Sequence, residues 1–294
     1  MPSAIVTGAT GYIGSHLVRK LLQDKWTVSI ISDPKFGYDN ILDIKDQLKV
    51  FEYKGKIDSL ISFMKESDAD IVFHLAAAVI TNPLPEQVSL IIDSNVRFGS
   101  EVLEAMTFTK TKLFVGTGTY WQNYNSEEYN PVDLYAATKE AFEKILKYYT
   151  EAKGIRAITL RLFDVYGPDD TRPKIWKLLK ESAGSNKIIE MSPGYQQIDL
   201  VHINDVVSSY IKAYEYLIDY PQIDFSIFGV YSGVRKSLME WVKLFENYIG
   251  KPFIIKWGAK SYKKREIMTL PKLLKKLPNW KCRVFLFQDK NTPR

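Results

Sequence analysis

The apolar pair Ile5 and Val6 runs directly into Thr7-Gly8-Ala9-Thr10-Gly11-Tyr12-Ile13-Gly14, three glycines at intervals of three residues. A glycine costs backbone entropy in any ordered element, so a fixed spacing implies that something approaches this backbone closely. The stretch that follows has apolar Ile13, Leu17 and Leu21 at helical spacing, which makes the glycines a strand-to-helix turn. Such a turn presents free backbone N–H groups and the positive end of a helix dipole to a phosphate. Gly8 is then expected to make the tight turn, Gly11 to admit a pyrophosphate to the backbone, and Gly14 to let the helix pack on the sheet. The spacing is not the usual dinucleotide one, and an ordinary glycine turn is the competing reading.

Further along, short apolar runs at 27–33, 48–55, 69–77, 112–118 and 156–163 alternate with helical patterns at 59–67, 89–106 and 134–154. Strand–helix alternation predicts an α/β fold, a doubly wound parallel sheet with helices on both faces. After Tyr166 the rhythm breaks into turn-rich stretches at 166–174 and 191–197. We therefore expect two lobes, 1–165 and a smaller α/β lobe at 166–294. They should interleave, the strand and helix near 199–215 returning to the first.

Among 294 residues the net charge is +6, yet the basic runs at 262–266 and 271–281 are broken by apolar residues. A solvated basic face or a small anionic ligand explains this better than nucleic acid. A single cysteine, Cys282, and three scattered histidines, His16, His74 and His202, give no disulfide and no metal-ligand spacing. No apolar run reaches membrane-span length and no signal-peptide pattern opens the chain, so the expectation is a cytoplasmic protein without metal or membrane partner.

Tyr135 and Lys139 stand four apart on a predicted helix and share one face. A free tyrosine is a poor acid–base group near neutrality, and a neighbouring ammonium favours its phenolate. The pair makes chemical sense as a proton donor or acceptor. An exposed aromatic beside a solvated lysine has the same spacing.

Taken together, the segments 7–17, 74–77, 94–105, 135–139, 161–168 and 198–207 resemble, in order and spacing, the extended short-chain dehydrogenase/reductases, the NAD-dependent epimerase/dehydratase family. The resemblance runs over about residues 3 to 280. It implies a Rossmann lobe for NAD(P) and a C-terminal lobe for a nucleotide sugar. By position, Tyr135 resembles the catalytic acid/base, and Lys139 the partner that lowers its pKa and holds the nicotinamide ribose. The family's hydroxyl residue before the tyrosine falls on Thr119, with Thr117 as fallback. The implied cofactor contacts are Gly8, Thr10, Gly11, Tyr12, Ile13 and Gly14, then Ser32, Asp33 and Lys35, Ile57, Leu75, Ala76, Ala77 and Asn95, besides Tyr135 and Lys139. The resemblance further implies a homodimer formed through the helices at 89–106 and 134–154.

Departures narrow the chemistry. Family 4,6-dehydratases carry Asp-Glu after the catalytic threonine, whereas Thr119 is followed by Tyr120 and Trp121. Epimerase-reductases use a cysteine, and Cys282 is near the C-terminus. What remains is similar to the CDP-abequose and CDP-paratose synthases, 4-ketoreductases of deoxysugar pathways serving O-antigen lipopolysaccharide, with NADPH as cofactor. A 4-epimerase holding NAD is the alternative, and a non-catalytic binding protein a third. The family arginine before Asp199 is Ile198 here, which makes Arg172 or Arg265 the candidates to meet the substrate diphosphate, although either alone reads more readily as an exposed surface residue. Asp164 replaces a family asparagine and should face a hydroxyl or a cation, or be structural. NADPH is expected over NADH because Ser32 ends the second strand, where an acidic residue would select NAD. Lys35 and Lys56 add positive charge nearby, and Asp33 is the residue that would reverse the preference.

Overall fold

The computed structural model describes residues 1–172, 174–185, 187–271 and 274–284. The strands are β1 (Ser3–Thr7), β2 (Thr27–Ser32), β3 (Lys49–Glu52), β4 (Ile71–His74), β5 (Leu113–Thr119), β6 (Arg156–Leu162), β7 (Asp164–Tyr166), β8 (Ile188–Glu190), β9 (Gln197–His202), β10 (Phe225–Val230), β11 (Arg235–Ser237) and β12 (Ile254–Lys256). The helices are α1 (Tyr12–Gln23), α2 (Ile57–Ser67), α3 (Val88–Ile92), α4 (Phe98–Thr107), α5 (Leu134–Lys153), α6 (Ile175–Ser182), α7 (Ile203–Asp219) and α8 (Leu238–Ile249).

Seven strands form one parallel sheet in the order β10-β6-β5-β4-β1-β2-β3. Consecutive buried residues such as Ile71-Val72-Phe73 suit a strand covered on both faces. On one face α1 and α7 bury Leu17, Leu21, Val206 and Tyr210 against the sheet. On the other, α2, α4 and α5 bury Leu60, Leu103, Phe142 and Leu146. Asp133 caps α5 by accepting from the Ala136 N–H at 2.8 Å, and Gly154, at φ 69°, ends it. The helix expected at 89–106 is α3, a π-turn at Asp93–Arg97, and α4 in sequence. Inserted π-turns recur at functional sites, and this one carries Asn95.

The second lobe holds the three-stranded sheet β11-β9-β7, the pair β12-β8, and α6 and α8. Its core is Leu179, Ile189, Trp241, Val242 and Phe245. Residues 285–294, included in the expected extent of this lobe, lie outside the described residues. The return to the first lobe corrects the expectation in part. Helix α7 does pack on α1, β5 and β6, but β9 pairs with β7 and β11 instead of entering the main sheet. Its side chains explain why: Ile198 and Leu200 pack in the second lobe while Val201 packs in the main core. The strand that extends the main sheet is β10. Arg156 fixes the turn before it by donating to the carbonyls of Leu217, Tyr220 and Ile223.

Candidate functional site

The chain leaves β1 toward β2 and β3, then returns to the other side of β1 through β4. Ligands of open α/β sheets bind at such a reversal, outside the carboxyl ends of the strands. The glycine turn is here. Gly8 has φ 70°, and a Cβ on it would come within 2.6 Å of the Ala76 nitrogen. A Cβ on Gly14 would come within 2.1 Å of the Gly8 carbonyl oxygen. Gly11 differs: its Cβ would meet only the Gly8 oxygen, at 3.3 Å, and the residue is exposed. Two glycines thus serve packing, and the third leaves the helix end open. Helix α1 has no side-chain cap and no acidic residue in its first turn. That geometry fits the phosphates of a dinucleotide.

The other expected cofactor contacts lie around this turn. The Thr7 hydroxyl accepts from Ala76 N at 3.2 Å and meets His74 Nδ1 at 2.9 Å, while Leu75 N donates to the Thr7 carbonyl at 3.2 Å. Leu75, Ala76 and Ala77 are therefore drawn against the glycine turn. The Thr10 carbonyl accepts from Asn40 at 2.8 Å, the Tyr12 hydroxyl donates to Pro168 O at 3.0 Å, and Ile13 is half-buried. At the end of β2 the Ser32 hydroxyl meets that of Tyr38 at 2.9 Å, which donates onward to Glu52 at 3.0 Å. Asp33 lies one residue beyond the strand, exposed, and accepts from the backbone of Lys35 at 3.0 Å. Lys56 precedes α2 and Ile57 begins it.

Asn95 clamps the next stretch. It accepts from Ala78 N at 2.7 Å and donates to Ala78 O at 3.1 Å and to the Thr138 hydroxyl at 2.9 Å. Thr138 donates to the Tyr135 carbonyl at 2.7 Å, so the clamp reaches the turn of α5 that bears Tyr135. Tyr135 and Lys139 are buried, 9% and 2% exposed. Burial, then the charge of Asp133, push the Tyr135 phenol above its usual range, and Arg172 opposes them. Burial pushes the Lys139 ammonium down to about 8, against the pull of Glu143. His74 is pushed down to about 3 by burial and by Lys139. The lysine thus acts on His74, and the cation acting on Tyr135 is Arg172.

The two threonines of β5 differ in their partners. Thr117 donates to the His74 carbonyl at 2.9 Å and meets the Tyr210 hydroxyl at 2.6 Å. Its proton is committed. Thr119 accepts from Trp121 N at 3.3 Å, and no acceptor holds its O–H among the described residues. The hydroxyl free to donate to a substrate oxygen is that of Thr119.

On the substrate side, Asp164 accepts from the Tyr120 hydroxyl at 2.8 Å and lies 3.8 Å from the Lys174 ammonium, so it faces both a hydroxyl and a cation. Arg172 is held by Asp170 at 2.7 and 2.6 Å and by Val165 O, with its guanidinium 4.4 Å from the Tyr12 ring centre. It stands between the glycine turn and Tyr135. Arg265 bonds Asn130 and lies 4.4 Å from the Tyr124 ring centre, with its Nε buried and unpartnered. Ile198 packs against the apolar core of the second lobe.

Sequence reading missed Tyr210, Glu143 and Arg161. Glu143 continues the spacing of Tyr135 and Lys139 and could have been found by extending it. Tyr210 is 93 residues from Thr117, beyond any local pattern. Among the described residues no three His, Cys, Asp or Glu gather as metal ligands, and no helix is long and apolar enough to cross a membrane.

Residues 4–223 match the NAD dependent epimerase/dehydratase family. The CDP-abequose synthase of Yersinia pseudotuberculosis is 28% identical over 290 residues, covering 97% of this chain and 95% of that protein. That of Salmonella muenchen is 27% identical, covering 90% and 86%. A UDP-glucose 4-epimerase structure from Thermotoga maritima, with UDP-glucose, superposes with a TM-score of 0.82 at 20% identity, covering 97% and 94%.

Proposed function

We propose that this chain, which belongs to the NAD dependent epimerase/dehydratase family, reduces the C4 keto group of a CDP-linked deoxyhexose with NADPH. The observation that carries the reading is the uncommitted Thr119 hydroxyl at the end of β5, free among the described residues to donate to a substrate oxygen. Burial and Asp133 push the Tyr135 phenol up, in keeping with a proton donor. The similarity to CDP-abequose synthases along almost the whole chain supports the substrate class. The absence of a carboxylate pair after Thr119 argues against a 4,6-dehydratase.

When bound, the nicotinamide cofactor supplies the hydride for the carbonyl carbon. Gly11 and the first turn of α1 would hold its phosphates, and Asn95 fixes Ala78, next to Leu75, Ala76 and Ala77, which would face the cofactor. Lys139 holds its ribose. Thr119 donates a hydrogen bond to the carbonyl oxygen, and Tyr135 gives that oxygen its proton. The diphosphate of the sugar nucleotide is met from Arg172 and Arg265, since Ile198 offers no charge. Asp164, with Tyr120 and Lys174, faces the sugar. We place the enzyme in the cytoplasm, in deoxysugar synthesis for a bacterial surface polysaccharide. It acts as a homodimer through α4 and α5, beside which Leu90, Ile92 and Tyr148 are left exposed. A single species of monomer mass in sedimentation would overturn the dimer.

The test is a panel of 4-keto-CDP, dTDP and GDP sugars followed by NADPH absorbance. Consumption of NADPH with a 4-keto-CDP sugar is expected. A purified protein that retains NAD and interconverts 4-hydroxyl epimers would overturn the reading in favour of the epimerase.

A further inference from the structure

The turn after β5 is closed from inside. Thr119 ends the strand, and its hydroxyl accepts from Trp121 N at 3.3 Å. A hydroxyl that accepts there points its own proton elsewhere. The Thr119 N–H donates in turn to Gln122 Oε1 at 2.9 Å. Gln122 is 0% exposed, and its Nε2 donates to Glu140 Oε2 at 2.8 Å. The amide fits only one way round. Glu140 accepts from Arg161 at 3.1 Å and lies 3.7 Å from the Lys144 ammonium, so its oxygens are acceptors and take the Gln122 nitrogen. The amide oxygen is then left for the Thr119 N–H. Gly118 supplies the room, since a Cβ on it would come within 2.8 Å of Gln122 Oε1. Glu140 follows Lys139 on α5, the helix that bears Tyr135. A chain of direct hydrogen bonds thus runs from the last residue of β5 to α5.

We propose that Gln122 is the positioning residue for Thr119, a buried bridge that fixes the end of β5 against α5 and so sets where the Thr119 hydroxyl stands relative to the Tyr135 phenol. The inference rests on the reading that both groups meet one carbonyl oxygen. Two groups on different elements share an oxygen only while those elements keep their spacing, and a misplacement of about 1 Å can cost roughly a hundredfold in rate. Sheet pairing sets Thr119 opposite Leu162 of β6, but it does not tie the strand end to α5. Among the described residues, Gln122 is the side chain that bonds both Thr119 and that helix. With no exposed surface it reaches no substrate and acts through Thr119.

The experiment is a double-mutant cycle on turnover of a 4-keto-CDP-deoxyhexose, with NADPH affinity read separately by tryptophan fluorescence quenching. Thr119→Val should lower kcat by about a hundredfold. Gln122→Met keeps the length and loses the amide; it should lower kcat about tenfold and leave NADPH affinity and the KM of the sugar at the parent's values. A residue that acts through another adds nothing once that other is gone. The double variant should therefore match Thr119→Val within about twofold. A merely structural turn would lower the melting temperature and make the two losses multiply, to roughly a thousandfold. That product, a parental kcat in folded Gln122→Met, or an equal loss of NADPH affinity would overturn the proposal. Should Gln122→Met not fold, the other end of the bridge decides. Glu140→Met removes the acceptor and should reproduce the loss and its dependence on Thr119, whereas Glu140→Gln keeps an acceptor oxygen and should stay near the parent; equal kcat in these two would overturn the bridge. A parental kcat in Thr119→Val itself removes the reading of Thr119, and the proposal falls with it.

Discussion

At the carboxyl edge of the main sheet, His74, Asn95, Thr138 and Lys139 are all buried polar groups. Each but His74 Nε2 and the lysine ammonium is tied by hydrogen bonds to a neighbouring segment. The second lobe is built the other way. It encloses Leu179, Ile189, Trp241 and Phe245, and the Trp176 and Phe245 ring centres are 3.9 Å apart. Ile198 adds to that apolar core. The difference teaches where the chemistry is concentrated. The sheet edge accepts buried polarity because its groups position one another, whereas the core of the lobe contributes shape.

The largest effect should come from damage to the lobe. Trp241→Ala removes an indole that donates to Ile198 O at 3.0 Å and is expected to lower stability by about 3–5 kcal/mol, measured by denaturant unfolding. NADPH binding by the folded fraction should persist. Loss of both together would show that the two regions are not separable. Next, Tyr135→Phe should keep fold and NADPH affinity and lose at least about a hundredfold in kcat; near-normal turnover would remove Tyr135 from the mechanism.

The glycine turn sharpens the comparison within the edge itself. Gly11→Ala has φ −78° and one contact to relieve. It should fold within about 1 kcal/mol of the parent and weaken NADPH roughly tenfold, or about 1.4 kcal/mol. Gly14→Ala meets backbone at 2.1 Å and should instead lower the melting temperature. Equal stability of the two variants would sink the division into packing and open glycines. The smallest effect is cofactor choice. With Asp33 turned to its own loop, kcat/KM should be higher with NADPH than with NADH, and the reverse would assign the ribose to Asp33.

Much of this was legible in the sequence because it is local. The strand–helix alternation set the parallel sheet, and the intervals of Gly8, Gly11 and Gly14 placed the turn. The four-residue step from Tyr135 to Lys139 placed both on the buried face of α5. What escaped depends on distant segments meeting. Thr117 loses its free proton only because the His74 carbonyl and Tyr210 converge on it. Arg265 is an isolated cation in the sequence, yet Asn130, 135 residues away, already engages it. The residues of β9 have a strand pattern that is the same for either sheet; pairing with β7 and β11 decides which one it joins.

The position of β10 bears on how the chain is made. Strand β6 ends at Leu162, and the strand that covers its open edge ends at Val230. Roughly 70 residues must be synthesised between them, which at ordinary elongation rates takes several seconds. During that interval the nascent first lobe exposes a row of unpaired backbone N–H and C=O groups, and Tyr210, on the later helix α7, is not yet there to cover its apolar face. An uncovered strand edge is a template for pairing with another chain. The interleaving that completes the crevice therefore also sets a window of vulnerability during translation, one that closes only when the far side of the second lobe's first sheet has begun to form.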